Sequence, residues 1–439
     1  MMTVGPKRWI VASLGLLFLL SLIVVSYREI ATERRPTERP RPVVAAADRV
    51  CVDCHGRVTP SIVHQWEDSR HATRGIGCAA CHGAKQRDPD AFVHYGVRIA
   101  AIVSPLDCSR CHQREFREQT GSRHADALAL MRENDGDVAR FVGAEPLGCQ
   151  GCHGARVIAT GAGQLDPTTW PNGGIGRINP DGSKGSCSAC HTRHDFSLAL
   201  ARAPEACAKC HQGDDHAPAM DVYQESKHGA RFREMHDEMN LGSSTWIVGR
   251  DYYAAPTCAT CHMSATPSQP VTHDVGTRLG WTLRPVVSVR QAGWEDKRDA
   301  MVDVCLQCHA DQWVQNYFTQ FDAFVEDYNG RFAMPARQIM EALRRKGALT
   351  PAPFDEPIEY TYFALWSQAG RRGRMGAAMM GPYFVQWRGA YEVARVFYSE
   401  LLPEAERLRP GITAPFVTTG ARVTRARRPA PAATLGERR

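Results

Sequence analysis

Eight copies of one five-residue pattern, Cys-x-x-Cys-His, constrain this chain more than any other feature. All sixteen cysteines of the 439-residue sequence belong to these copies, and none is left over. The copies are Cys51, Cys54 and His55; Cys78, Cys81 and His82; Cys108, Cys111 and His112; Cys149, Cys152 and His153; Cys187, Cys190 and His191; Cys207, Cys210 and His211; Cys258, Cys261 and His262; Cys305, Cys308 and His309. Any fold of this chain must therefore bring two thiols and one imidazole together eight times.

The spacing within each copy predicts covalent attachment of heme c. Two thiols three residues apart reach the two vinyl carbons of one porphyrin, and the next residue, histidine, lies under the iron as its proximal ligand. Zinc sites instead pair two Cys-x-x-Cys units around one metal, and disulfide frameworks show no such regularity. The sequence therefore predicts eight heme c groups, with the histidines of the eight motifs as proximal iron ligands.

Little chain is available to each heme, because residues 51–309 hold all eight motifs. About 32 residues per heme are too few to build an apolar core around every cofactor from side chains alone. We therefore expect a mainly α-helical fold, poor in strand, with short helices and loops wrapped around a heme stack. The net charge of +6 does not single out a nucleic acid as partner, and none is predicted.

The first 50 residues predict a membrane anchor followed by a linker. Residues 1–8 are basic and predict a short cytoplasmic segment, whereas residues 9–27 carry no charge and approach the roughly 20 residues that span a bilayer. A cleaved signal peptide is the alternative, but the nearest cleavage pattern, Ala45–Ala47, lies well downstream. The proline-containing residues 28–50 are typical of an extended linker. We expect a single-pass anchor on the periplasmic side of a bacterial inner membrane, where heme of this type is attached.

Residues 310–409 differ in character because they hold no heme motif. Apolar and aromatic residues such as Trp313 and Tyr317 recur there at helical spacing and predict long amphipathic helices. We interpret most of these side chains as packing against the heme domain, residues 51–309, or against another subunit. Residues 410–439 are rich in Pro, Ala and Arg, and they predict a disordered basic tail.

The histidines outside the motifs are the candidate distal ligands. A second histidine makes a heme iron a six-coordinate electron carrier, whereas an open axial position admits a substrate. Of 17 histidines, nine remain after the proximal ones. This number allows seven bis-histidine hemes and one open heme, and it also allows eight bis-histidine hemes without an active site. The distal candidates are His64, His71, His94, His124, His194, His228, His236 and His273.

A weak internal repeat singles out three of these candidates. The strings WEDSRHA, EQTGSRHA and YQESKHGA each place a helical segment before a serine, a basic residue, a histidine and a small residue. Each string lies upstream of a heme motif, so the repeat predicts His71, His124 and His228 as distal ligands. The alternative for each one is an exposed histidine beside a cation.

Several of the motifs resemble a known family. CSACHTRH at the fifth motif, CHQGDDHAPAMDVYQESKHGA after the sixth and PTCATCHMS at the seventh resemble the octaheme hydroxylamine oxidoreductases. The last five motifs are also similar to those of the pentaheme cytochrome c nitrite reductases. The resemblance covers roughly residues 51–400. It implies a small inorganic nitrogen substrate, a homotrimer, and a redox partner that is a cytochrome or a quinone-linked membrane protein.

Carried over residue by residue, the resemblance implies that one of the eight hemes is catalytic. The fourth heme, on Cys149, Cys152 and His153, would be five-coordinate, with Asp215 and His216 as the acid/base pair of its pocket. A histidine oriented by a carboxylate suits the proton transfers that accompany hydroxylamine oxidation. The alternative for Asp215 and His216 is a surface turn, because DDHAP has turn composition.

The same resemblance implies distal ligands for three further hemes. His273 would serve the fifth heme, His124 the sixth and His228 the eighth. The first, second, third and seventh hemes draw on the other candidates without an individual assignment, namely His64, His71, His94, His194 and His236.

The direction of the chemistry depends on one aromatic position. No motif has lysine in place of the proximal histidine, unlike the nitrite reductases with a lysine-ligated catalytic heme. Oxidative members of the resembled family attach a tyrosine from a neighbouring subunit to the catalytic heme, three residues before a tryptophan. Here Phe384 holds that place, and Tyr383 lies one position away.

Three functions stay open from the sequence. If Tyr383 is cross-linked to heme, we expect oxidation of hydroxylamine. If Tyr383 is an ordinary packing aromatic, we expect reduction of nitrite or hydroxylamine to ammonium on the same scaffold. The third hypothesis is a non-catalytic electron conduit.

Overall fold

A computed structural model describes four stretches of the chain, residues 15–23, 41–133, 148–213 and 217–417. The chain divides into two compact units, Met1–Gly77 and Cys78–Arg439. The domain boundaries given above stay predictions.

Short helices surround the first heme motif in the first unit. The α-helices are residues 15–23, Arg49–Val58 and Pro60–Glu67, and the 3-10 turns are Ala46–Asp48 and Ala72–Arg74. Thr59 separates the two longer helices, and Pro60 begins the second because its fixed φ suits a first helical turn. The indole of Trp66 is buried and donates a hydrogen bond to the carbonyl of Ile76 (2.9 Å), which closes the unit around the segment that follows.

The predicted anchor over residues 9–27 is wrong, and so is the localisation that rested on it. The described part of this segment is a helix over residues 15–23. In the stretches that the structure describes, no helix combines the length and the apolar character needed to cross a membrane.

Residues 78–309 of the second unit consist of short helices and loops. The α-helices are Cys78–His82, Pro105–Cys108, Gln113–Thr120, residues 127–133, Gln150–His153, Leu198–Arg202, Pro204–Ala208, Ala219–Glu225, Lys227–Glu234, Cys258–His262 and Trp294–Leu306, and the 3-10 turns are Cys187–Ala189 and His236–Glu238. The described strands form three antiparallel hairpins, Ala91–His94 with Val97–Ala100, Ala159–Gly161 with Gln164–Leu165, and Trp281–Thr282 with Val289–Arg290. This part of the chain is helix-rich and poor in strand.

Three long helical runs follow, each interrupted by π-helical turns. The α-helical parts are Asp311–Tyr328, Met334–Arg345, Pro357–Phe363, Gly370–Ala378, Pro382–Val385, Glu392–Val396 and Leu402–Leu408, with a last short helix at Ala414–Val417. The π-turns are Asn329–Ala333, Ala364–Ala369, Gln386–Tyr391 and Phe397–Leu401. Because the backbone continues through these turns, residues 311–345, 357–378 and 382–408 form the three runs.

The largest apolar core of the described residues lies among these runs. Ile339, Leu343, Leu365 and Leu401 are each fully buried in it. Their burial follows from helical spacing, since one stripe of each run is apolar and faces the others. The core is an ordinary one, made of side chains alone.

One buried arginine connects the long helices to the loop that precedes them. Arg374 has no exposed surface and donates to the carbonyls of Gly370 and Trp366 (each 2.8 Å) within its own run. It also donates to the carbonyl of Pro285 (2.8 Å) and the hydroxyl of Ser288 (2.9 Å). A buried cation of this kind is stable because its donors meet acceptors on several sides.

Candidate heme sites and comparison with known proteins

Each Cys-x-x-Cys-His motif folds into a single helical turn. In the third, fourth and eighth motifs, the backbone N–H of the histidine donates to the carbonyl of the first cysteine at 2.9 Å, as in His112, His153 and His309. This turn sets both thiols and the imidazole on one side of the backbone. No disulfide joins any of the sixteen cysteines, all of which lie in the described residues.

The structure brings four motif histidines opposite four histidines from outside the motifs. Each pair has its ring centroids between 6.0 and 6.4 Å apart. The pairs are His82 with His194 (6.3 Å), His211 with His124 (6.1 Å), His191 with His273 (6.4 Å) and His309 with His228 (6.0 Å).

These spacings fit an iron ion between the two rings. A metal–nitrogen bond is about 2 Å long and the ring centroid lies about 1.1 Å behind the nitrogen, so two imidazoles on one metal have centroids about 6.3 Å apart. Packed aromatic rings also have centroids about 4.5 to 7 Å apart, so the kind of donor at these pairs points to a metal more strongly than the spacing does. The donor set, two imidazoles beside two thiols, is the one that six-coordinate heme c requires.

Burial keeps the opposing histidines in the form that binds a metal. Burial, with the nearby His211 and His262, lowers the pKa of His124 to about 4. Burial also lowers the pKa values of His228 and His273. Because only the neutral imidazole has a lone pair for a metal, these side chains are ready to act as ligands near neutral pH.

Backbone carbonyls orient two of the proximal histidines. The Nδ1 of His153 lies 3.2 Å from the carbonyl oxygen of Ala127, and the Nδ1 of His262 lies 3.2 Å from that of Val275. A carbonyl can only accept, so Nδ1 carries the proton and Nε2 is left for the metal. In the first motif, the Nδ1 of His55 lies 2.8 Å from the hydroxyl of Thr59.

Two side chains near the histidine pairs have buried polar atoms without a hydrogen-bond partner among the described residues. They are the amide group of Gln119 and the hydroxyl of Thr120, at the end of the helix that precedes His124. The neighbouring Glu118 accepts from the backbone N–H of His273 (2.8 Å) and from Arg114. Buried polar groups in folded proteins are almost always paired, so the two unpaired side chains fit a site that a bound group completes.

Thiols of different motifs contact one another. The thiols of Cys108 and Cys187, of Cys207 and Cys258, and of Cys152 and Cys210 lie close enough to interact electrostatically. The third motif therefore adjoins the fifth, the sixth adjoins the seventh, and the fourth adjoins the sixth.

The other candidate ligands lie in several settings. His64 and His236 are exposed, with Nδ1 atoms 3.3 Å from Glu67 and 3.2 Å from Asp237. His94 lies on the first hairpin, its ring 4.7 Å from that of Tyr95. The backbone carbonyl of His71 accepts hydrogen bonds from the N–H groups of Arg74 and Ile76, in the turn before the second motif. Their role as ligands stays a prediction.

The proposed catalytic residues are only partly described. Asp215 and His216 lie outside the described residues. Tyr383 is 49% exposed, whereas the neighbouring Phe384 is buried. The two rings are perpendicular, with centroids 6.3 Å apart, so they point in different directions. Within one chain, Tyr383 faces outward.

The sequence prediction missed two kinds of functional contact. It left the second heme without an assigned distal ligand, whereas the structure sets His194 opposite His82. It also missed the groups that orient proximal rings, such as the carbonyls of Ala127 and Val275. Backbone carbonyls leave no residue-type signal in a sequence, so no motif search would have found these two.

Two protein-family models match the chain. The family described as "Seven times multi-haem cytochrome CxxCH" matches residues 179–357, and "Cytochrome c554 and c-prime" matches residues 26–83. A solved structure described as a hypothetical multiheme protein is 25% identical, with a TM-score of 0.75 over 83% of this chain and 97% of that one. The chain is a multiheme cytochrome c. The predicted helix-rich multiheme fold and covalent heme c attachment are confirmed for this cytochrome.

Relatives of this cytochrome include hydroxylamine oxidoreductase-like proteins. A probable nitrite reductase–hydroxylamine oxidoreductase fusion protein of Kuenenia stuttgartiensis is 23% identical over 372 residues, 70% of this chain and 39% of that protein. A reducing hydroxylamine oxidoreductase-like complex of the same organism shares the fold, with 20% identity and a TM-score of 0.60 over 85% of this chain and 87% of that one. The predicted resemblance is confirmed.

A more distant relative is a C-type polyheme cytochrome of Geobacter sulfurreducens. It is 25% identical over 203 residues, which cover 36% of this chain and 27% of that protein. The cytochrome described here thus spans about two fifths or less of the length of the curated relatives it matches.

Proposed function

We propose that this cytochrome binds eight heme c groups and oxidises a small inorganic nitrogen compound, hydroxylamine, at the fourth of them. The observation that carries the proposal is the set of four histidine pairs at 6.0 to 6.4 Å. Such pairs are what six-coordinate electron-carrying hemes require. The Kuenenia fusion protein, named as a nitrite reductase–hydroxylamine oxidoreductase, supports the same class of chemistry.

Heme c supplies one-electron transfer where both axial positions are filled and a binding position for a small substrate where one is open. The ligands that the polypeptide supplies determine which hemes transfer electrons and which heme binds substrate. His194, His124, His273 and His228 would hold the second, sixth, fifth and eighth hemes together with the motif histidines that they face. Neutral imidazoles in these places exclude substrate and leave the chemistry to a heme with an open position.

Two contacts of the fourth motif support a reaction centre at the fourth heme. The carbonyl of Ala127 holds the ring of His153, and the thiol of Cys152 contacts Cys210 of the sixth motif. The fourth heme would therefore adjoin a heme with two histidine ligands. Asp215 and His216 would hold and move the protons that leave hydroxylamine, since a histidine beside a carboxylate titrates near neutral pH.

The second candidate is the same site working in reduction, on nitrite or hydroxylamine. The burial of Phe384 favours it, because Phe384 holds the position of the cross-linking tyrosine and has no hydroxyl to attach. Tyr383 supports oxidation only if a neighbouring copy in the homotrimer brings its fourth heme to the exposed ring. In either direction, electrons pass to or from a separate redox protein, a cytochrome or a quinone-linked protein.

Removal of one distal histidine tests the heme assignments. Mass spectrometry of the purified protein is expected to show eight attached hemes. His194→Ala is expected to convert one low-spin heme into a high-spin heme in the electron paramagnetic resonance (EPR) spectrum. Tyr253→Ala is the control, because the side chain of Tyr253 is 74% exposed and is not a candidate ligand. Fewer than eight hemes, or an unchanged spectrum for His194→Ala, would contradict the assignment.

The direction of catalysis needs a separate test. A tyrosine-linked heme absorbs far to the red of ordinary reduced heme c, so the oxidative proposal requires such a band and its loss in Tyr383→Phe. Absence of the band, with ammonium formed from nitrite or hydroxylamine, would favour reduction. His216→Ala is expected to abolish either activity while all eight hemes stay attached. If the wild-type EPR spectrum contains no high-spin heme, the protein is a conduit.

A further inference from the structure

A column of four parallel aromatic rings begins at the proximal histidine of the eighth motif. The ring of His309 stacks on Trp313, with centroids 4.4 Å apart and planes within 17°. Trp313 stacks on Tyr317 (5.9 Å, 8°), and Tyr317 on Phe321 (6.3 Å, 7°). The residues follow one another at intervals of four, and the helix Asp311–Tyr328 aligns Trp313, Tyr317 and Phe321 on one face, with His309 just before its start.

Hydrogen bonds and apolar packing fix the end of this column that lies farthest from His309. The hydroxyl of Tyr317 donates to the carbonyls of Ala378 (2.6 Å) and Ala377 (3.2 Å). Phe321 is buried in an apolar cluster with Val314. The position of Trp313 is thus set by a rigid support, although 45% of its own surface is exposed.

The eighth motif differs in this respect from the first, fourth and seventh. In those motifs, a hydroxyl or a carbonyl oxygen faces the Nδ1 of the proximal ring, as at His55, His153 and His262. Within the described stretches, no side chain or carbonyl hydrogen-bonds the ring of His309, and stacking on Trp313 holds it instead.

We propose that Trp313 is a positioning residue of the eighth heme, which fixes the plane of His309 by stacking where other motifs use a hydrogen bond. The inference rests on the proposed attachment of a heme to the eighth motif. It has two consequences. The tilt of 47° between the rings of His309 and His228 is maintained by Trp313. Without an acceptor at Nδ1, His309 is also a weaker electron donor to iron, so the eighth heme is easier to reduce than it would be with a hydrogen-bonded ligand.

Three substitutions at Trp313 separate these consequences. Trp313→Phe keeps a ring against His309 and is expected to leave the EPR spectrum and the heme potentials close to wild type. Trp313→Ala frees the imidazole and is expected to shift or broaden one low-spin signal, because that signal depends on the angle between the two axial rings. Trp313→Gln offers an amide oxygen to Nδ1 and is expected to lower the midpoint potential of one heme.

The control is an exposed aromatic residue of the third helical run that contacts no heme motif in the described chain. Tyr398 is 47% exposed and its ring packs edge-on against Phe332 and Phe397, so Tyr398→Ala and Tyr398→Gln should leave every heme signal unchanged. Potentials are measured by spectroelectrochemical titration of proteins whose heme number has first been checked by mass spectrometry.

The outcomes distinguish this inference from the proposed function. If wild-type protein lacks a heme on Cys305 and Cys308, the proposed function fails, and the inference fails with it. If all hemes are present and Trp313→Ala and Trp313→Gln both match wild type in EPR signals and potentials, only the inference is overturned. A change of one heme in these variants, with Trp313→Phe close to wild type, supports it.

Discussion

The heme-attachment part of the second unit, residues 78–309, and the long helical runs, residues 311–408, are built on different principles. In the runs, side chains such as Ile339 and Leu343 are fully buried against one another, and the core needs nothing else. In the attachment part, most helices are short, and motif histidines face partner histidines about 6 Å away. An apolar cluster around Trp246 and Tyr252 supplies part of this interior. Because helices this short bury only narrow apolar stripes, we expect the hemes to supply the remainder.

The largest test of this comparison removes the hemes. We expect that changing both thiols of every motif to serine lowers the protection of residues 78–309 in hydrogen–deuterium exchange, while residues 339–365 keep slowly exchanging amides. The physical reason is that the attachment part loses the hemes from its interior, whereas the core around Leu343 and Leu365 contains none. Equal protection in both parts, or equal loss, would remove the distinction.

A cavity in the helical core tests the comparison from the other side. Leu343→Ala is expected to lower the free energy of unfolding of the long runs by about 3 kcal/mol, because it empties a fully buried position. The heme absorption and EPR spectra should not change. Leu408→Ala, at a position 40% exposed, is the control and should cost less than about 1 kcal/mol. A spectral change in Leu343→Ala would show that the two parts are not independent.

Arg374 is where the two parts are joined, and its loss should affect both. Arg374→Met leaves the buried acceptors at Pro285 and Ser288 unsatisfied and is expected to cost about 2 kcal/mol. Thermal unfolding followed at both heme and peptide wavelengths should shift together. Arg331→Met is the exposed control and should change little. A shift at only one of the two wavelengths would argue against this connection.

The smallest expected effect is a pH dependence near the same junction. Burial raises the pKa of Asp322, but hydrogen bonds from Arg298, Trp281 and Arg290 outweigh it, so the pKa lies below its ordinary value. A lowered pKa contributes stability above the unfolded value, near 4, and this stability is lost as the pH falls through the folded pKa. We expect unfolding free energies measured from pH 5 to pH 3 to fall less in Asp322→Asn than in wild type. Parallel curves would contradict this.

The attachment sites could be predicted from the sequence because their geometry is local. Two thiols and an imidazole within five residues need only one helical turn, and the structure forms such a turn in the motifs, as at His153 and His309. The apolar stripe that contains Trp313 and Tyr317 could be predicted for the same reason, because its residues recur at helical spacing along a short stretch of chain.

The pairing of histidines that lie far apart along the chain could be predicted only in part. The resemblance to a known family pointed to His124, His228 and His273, and the structure sets each of them opposite a motif histidine. The repeat alone does not say which motif each one faces. His194 lies more than a hundred residues from His82 along the chain, and nothing near either residue marks the pair. The predicted membrane anchor is wrong because no helix of the described residues is long and apolar enough to cross a membrane.

The contacts between thiols of different motifs place a demand on how the protein is assembled. Cys108 lies beside Cys187, and Cys207 beside Cys258, although the two thiols of each pair belong to different motifs. Adjacent thiols exposed to an oxidant form disulfides, and such bonds would link the wrong motifs. Each thiol must therefore be bonded to its porphyrin before the chain compacts. Heme attachment then precedes folding, and this order prevents disulfides between different motifs.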